Sequence, residues 1–122
     1  MTKLTGADAS FIVDTYYDDL PGYQEDVLGM VPDTWQREVG GLIVGNKRVA
    51  VASGHGIGKT AEVAAIVHWF MSTRANPQVV ITANTQTQLV SKTMRELAKW
   101  NAKAKNGGWF DVSAMRMQMK GA

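Results

Sequence analysis

A chain of 122 residues, 45% apolar and 20% charged, has the size and composition of one modest domain with enough apolar matter for a core. The absence of cysteine excludes disulfides and thiolate metal sites, and with only His55 and His68 a histidine-rich metal centre is disfavoured. The formal net charge of +2 hides a division: residues 1–46 hold eight acidic and two basic side chains, whereas residues 47–122 hold eleven basic and three acidic ones.

No apolar run approaches the roughly 20 residues that span a bilayer. Met1 to Gly6 lacks the apolar stretch of a secretory leader, so a soluble cytoplasmic protein is expected. Asp8 or Ser10 is placed to cap a helix running to Asp18, with Phe11, Ile12 and Tyr16 as its apolar side. Pro21-Gly22 breaks it. A short helix is expected from Tyr23 to Leu28, ended by Gly29, and a third from Trp35 to Val44, with Trp35, Val39 and Leu42 at helical spacing and Gly40-Gly41 weakening it.

After the Gly45-Asn46 turn the pattern changes. Arg48 to Ala52 is a short β-prone run. Val63, Ile66, Val67 and Phe70 then repeat at helical spacing, predicting an amphipathic helix from Lys59 to Thr73 that Asn76-Pro77 closes. Val79 to Ala83 is a second strand candidate. A long helix follows from Asn84 or Thr85 to Ala104, with Val90, Met94 and Leu97 inward, and Gly107-Gly108 ends it. Trp109 to Met117 reads as a third strand. Helices followed by βαβαβ predict an α/β fold with a parallel sheet: residues 1–46 as a helical segment, residues 47–122 as the α/β core.

Between the first strand and the Lys59 helix lies Ser53-Gly54-His55-Gly56-Ile57-Gly58-Lys59-Thr60. This matches the phosphate-loop pattern G-x-x-x-x-G-K-[ST], except that serine, also small, takes the first position. The chemistry needs these residue types. Glycines let main-chain amides approach a phosphate with no Cβ in the way, and successive N–H groups form an anion nest at a helix N-terminus. Lys59 would neutralise the β- and γ-phosphate oxygens of ATP, and the Thr60 hydroxyl would help to hold Mg²⁺. The competing reading is a glycine-rich strand–helix turn with an exposed lysine.

Trp35-Gln36, the loop Ser53–Thr60, Ile81-Thr82-Ala83-Asn84-Thr85-Gln86-Thr87-Gln88 and the Trp100 helix together resemble the large terminase subunits of tailed bacteriophages and prophages. The resemblance covers roughly residues 20–118. It implies a partial P-loop NTPase fold of the RecA/ASCE kind and the ATP-binding portion of a DNA-packaging motor in the bacterial host cytoplasm. The implied partners are double-stranded DNA, a small terminase subunit, a portal and further copies of the chain. It also implies that Gln36 contacts adenine, since a carboxamide can donate and accept at once. From the residues themselves Gln36 reads as a polar helix residue beside a buried Trp35, and it is the resemblance that points to adenine.

Thr82 to Gln88 resembles a helicase motif coupling nucleotide state to DNA, or is a polar strand–helix loop. His55 stands where the family commonly has an arginine, and a neutral imidazole stabilises phosphoryl charge poorly. Lys92, Arg95, Lys99 and Lys103 share one helical face, which would suit a DNA backbone or simply water. Met115, Met117 and Met119 fall at strand spacing, as core or edge. Beyond the loop the acidic residues are Glu62, Glu96 and Asp111, two on helices and one without an acidic neighbour. The acidic pair that hydrolysis requires in this class is therefore not found, nor the carboxylate cluster of a nuclease. The expectation is a truncated chain with weak ATPase activity or none. A different P-loop NTPase, helicase-like, or a non-catalytic nucleotide-binding or assembly fragment are the alternatives.

Overall fold

The computed structural model describes residues 6–45, 58–74, 77–81, 89–113 and 115–120. Helix α1 (Gly6–Tyr16) starts ahead of both expected caps. Ile12 and Tyr16, one turn apart, are buried, but Phe11 is 63% exposed: the inward stripe of so short a helix is narrower than its apolar content. The chain leaves α1 at Tyr17, and Asp19 caps α2 (Leu20–Tyr23) by accepting the Gly22 N–H at 3.0 Å. Pro21 thus lies in the first turn of a new helix, where its missing N–H costs nothing. A π-helical turn (Gln24–Leu28) continues it and ends on Gly29, which takes a left-handed φ of 70° as its sequence position suggested.

Helix α3 (Thr34–Gly45) runs straight through Gly40-Gly41. At Gly40 a Cβ would stand 3.2 Å from two ring carbons of Pro21, so the glycine eases the close approach of α2 and α3. Val39 is buried and Leu42 is 47% exposed, while Ile43 and Val44 pack on the core instead.

Helix α4 (Lys59–Thr73) has the expected bounds and is the hub of the described structure, packing against α1, α2 and α5 (Arg95–Lys103). This explains why its buried side is not the expected stripe. Of Val63, Ile66, Val67 and Phe70 only Val67 is fully buried, while Glu62, Ala64, Ala65, His68, Trp69, Ser72 and Thr73 are buried as well. A helix enclosed on several sides loses the amphipathic signature that sequence spacing relies on.

Val79 to Ile81 take part in no described helix or strand; Thr82 and Ala83, and the other expected strand at 48–52, lie outside the described residues. A π-helical segment (Leu89–Met94) leads into α5, with Met94 and Leu97 buried as their spacing predicted. A 3₁₀ turn (Gly107–Trp109) follows. The single strand expected from Trp109 to Met117 is instead a hairpin: β1 (Phe110–Val112) pairs antiparallel with β2 (Met117–Met119), Phe110 facing Met119 and Val112 facing Met117. The reversal is closed by Ser113 N–H donating to the Arg116 carbonyl at 2.8 Å, and the ladder extends through Lys120 N–H to the Trp109 carbonyl at 2.8 Å. Apolar residues run on through the connection, so the pattern does not distinguish one strand from two.

The main core gathers Ile12, Tyr16, Leu20, Tyr23, Leu28 and Trp69 where α1, α2 and α4 meet; a smaller cluster of Ala64, Val67, Met94 and Leu97 joins α4 to α5. Among the described residues no helix is long and apolar enough to cross a membrane.

Candidate functional site

Ser53 to Ile57 lie outside the described residues, as do Thr82 to Gln88. Gly58, Lys59 and Thr60 are described. Gly58 is the N-cap of α4, with φ +81° and no side-chain capping bond. The first N–H groups of a 15-residue helix therefore leave its positive end without a side-chain acceptor at the cap. Lys59 is exposed and Thr60 half-buried. A helix start of this kind presents main-chain N–H groups that can receive an anion.

Gln36 lies against the same point. Its Nε2 donates to the Gly58 carbonyl at 3.0 Å and its Oε1 accepts the Asp33 N–H at 2.8 Å. The Gly58 carbonyl also accepts the first helical bond of α4, from Glu62 N–H at 3.0 Å. Trp35, half-buried, brings its ring to 4.0 Å from the position a Gly58 Cβ would take. The Trp35-Gln36 pair thus meets Gly58, the residue that directly precedes Lys59 and Thr60.

Two buried polar clusters on α4 escaped the sequence reading. Glu62, 3% exposed, accepts from Gln24 Nε2 at 2.6 Å, while Glu62 Oε2 and Gln24 Oε1 have no hydrogen-bond partner among the described residues. Burial pushes the Glu62 carboxyl up to about 7, against the opposing hydrogen bond from Gln24. Further along α4, His68 is fully buried between Tyr23 and Asn101. Asn101 Oδ1 can only accept, so His68 Nε2 holds the proton and donates at 2.8 Å. His68 Nδ1 then accepts from the Tyr23 hydroxyl at 2.6 Å. Ser72 donates to the Tyr23 oxygen at 2.7 Å, and the Asn106 amide donates to Ser72 and to Tyr23 at 3.0 and 3.3 Å.

Burial lowers the His68 imidazole to about 4, with the Asn101 bond opposing, and raises the Tyr23 phenol well above its ordinary value. The sequence signal for both clusters was the recurrence of Glu62, His68 and Ser72 on a helix otherwise rich in apolar residues.

Lys92, Arg95, Lys99 and Lys103 are all exposed, as their common face predicted. Lys99 pairs with Glu96 at 3.7 Å, and the ammonium groups of Lys99 and Lys103 lie 5.0 and 4.9 Å from the centre of the Trp100 ring. Met115 and Met119 are exposed and Met117 half-buried. An open cleft of about 1080 Å³, lined by Tyr17, Phe70, Met71, Arg74 and Trp109 among others, lies at the far end of α4, roughly 20 Å from Lys59 along the helix. The cleft and the candidate phosphate site are therefore separate. Comparison of the chain with protein-family models, with curated proteins and with solved structures gives no match.

Proposed function

We propose that this chain is a nucleoside-triphosphate-binding unit of the P-loop class. The observation that carries the reading is the junction at Gly58: a left-handed glycine opening a long helix with no side chain at its cap, followed at once by Lys59 and Thr60. Main-chain N–H groups there, with those expected of Ser53 to Ile57, would cradle the terminal phosphates. The Lys59 ammonium would neutralise β- and γ-oxygens and the Thr60 hydroxyl would hold Mg²⁺. Bound ATP·Mg²⁺ would supply the phosphoanhydride whose cleavage drives a motor.

Within that class, the combination of Trp35-Gln36 with the Ser53–Thr60 loop and Thr82–Gln88 favours the ATP-binding portion of a phage or prophage terminase large subunit, with an α/β core of the RecA/ASCE kind. Its partners would then be double-stranded DNA, a small terminase subunit, a portal and other copies of itself, in the cytoplasm of the bacterial host. The exposed basic face of α5 and the preceding turn suits the DNA backbone. The test is calorimetric titration with ATP and Mg²⁺. Wild type should bind, and Lys59→Ala should bind at least tenfold more weakly; equal binding by the two, or none by wild type, would sink the proposal.

A further inference from the structure

Gln36 holds two main-chain groups from different helices at once. As the third residue of α3 it reaches back to the Asp33 N–H, which is the acceptor half of a capping box. Its amide nitrogen faces the other way, onto the Gly58 carbonyl. The side chain is buried, only 5% exposed, so both ends of the carboxamide are engaged with backbone and little of it remains for a ligand. Space is tight on the far side too: a Cβ on Gly58 would stand 3.0 Å from Gln36 Nε2.

We infer that Gln36 is a positioning residue, a tether that fixes Gly58 of the phosphate loop to the start of α3, and that it does not read the nucleotide base. The binding site then selects for the polyphosphate and is indifferent to adenine or guanine as far as Gln36 is concerned. The inference about base selection rests on the proposed nucleotide binding; the tether itself does not.

Two substitutions separate the roles. Gln36→Glu keeps the acceptor for Asp33 N–H but has no N–H for Gly58. Gln36→Met keeps the size, loses both bonds and adds no charge. Affinities for ATP, GTP and inorganic tripolyphosphate, each with Mg²⁺, should fall in both variants by one common factor, roughly five- to tenfold for the loss of a buried hydrogen bond.

A loss for ATP that exceeds the loss for GTP would make Gln36 a base reader and overturn the inference. So would wild-type affinity in Gln36→Glu, which would leave capping as the whole role, or weakening in Gln36→Glu with none in Gln36→Met, which would leave charge. If wild type binds none of the three ligands, the nucleotide reading fails and the tether is judged without it. Amide hydrogen exchange of the ligand-free peptide covering residues 53–62 should then quicken in both variants, and unchanged exchange would overturn the tether.

Discussion

The Tyr23 hydroxyl lies 2.6 Å from His68 Nδ1, joining α2 to the middle of α4 across 45 residues of sequence at a point sealed from water. Because the His68 proton is committed to Asn101 on the opposite ring nitrogen, this bond has one direction, from phenol to imidazole. The Tyr23 oxygen in turn collects donors from Ser72 and Asn106, so one phenol joins α2, α4 and the turn after α5, and His68 extends the network to α5 through Asn101. Such a network stabilises when complete and is costly when interrupted.

Tyr23→Phe keeps the ring that packs against Tyr16 at 5.9 Å but removes the oxygen. It leaves His68 Nδ1 without a donor and strands the Ser72 hydroxyl and one Asn106 bond. The expected loss is about 2–3 kcal/mol in urea unfolding followed by tryptophan fluorescence. Adding His68→Phe should cost less than its single effect, since the partner it abandons is already gone. Additive losses would mean that the two side chains do not act as a unit.

Glu62 and His68 should give the fold a flat optimum in mildly acidic solution. Glu62 rises from 4.5 to about 7 on folding, so its contribution is complete below pH 4.5 and is lost as pH climbs to about 7. His68 falls from 6.5 to about 4, so its contribution is complete above pH 6.5 and is lost as pH drops to about 4. Between pH 4.5 and 6.5, unfolding releases one proton from Glu62 and takes up one at His68, and the two slopes cancel.

Glu62→Gln uncovers the histidine: stability should then rise with pH across that window by roughly 3 kcal/mol. The amide also stays uncharged where the buried carboxyl must ionise, so at pH 8 the variant should be the more stable protein. Chemical denaturation at half-unit pH steps, without nucleotide or metal, measures both effects. A wild-type profile as steep as the variant's would remove the compensation.

The adjacent glycines of α3 should respond in opposite ways to a methyl group. Gly41 meets nothing within 4 Å, so Gly41→Ala should stabilise by about 0.5–1 kcal/mol through helix propensity and a less flexible unfolded chain. Gly40→Ala gains the same propensity but presses on Pro21, and should lie at least 1 kcal/mol below Gly41→Ala. Thermal unfolding of the two variants side by side decides it; equal melting temperatures would show that α2 yields freely.

Binding to non-specific duplex DNA should weaken steeply with salt if the basic face takes part. Replacing Lys92, Arg95, Lys99 and Lys103 by glutamine should lower the slope of log K against log salt by up to about 3–4, near 0.9 for each phosphate that is no longer neutralised. Gel shifts across salt concentration measure this. An unchanged slope would leave the four side chains as a solvated face resting partly on Trp100.

What the amino-acid order determined by itself was local. Gly29 stops a helix because only a residue without Cβ enters the left-handed region freely, and Gly58, Lys59 and Thr60 open α4 through the chemistry of a helix start. The bounds of α4, the inward side of Met94 and Leu97 and the exposure of the four basic residues were legible for the same reason: each depends on neighbours within a few turns.

Only the tertiary structure decided that α4 is enclosed on several sides, that Gln36 meets Gly58, and that Tyr23 answers His68. It also decided that the Trp109–Met117 run folds back on itself. Spacing along the chain records which side chains share a face, but not how many elements will cover that face. A buried polar side chain acquires meaning only from a partner dozens of residues away, which no local periodicity announces.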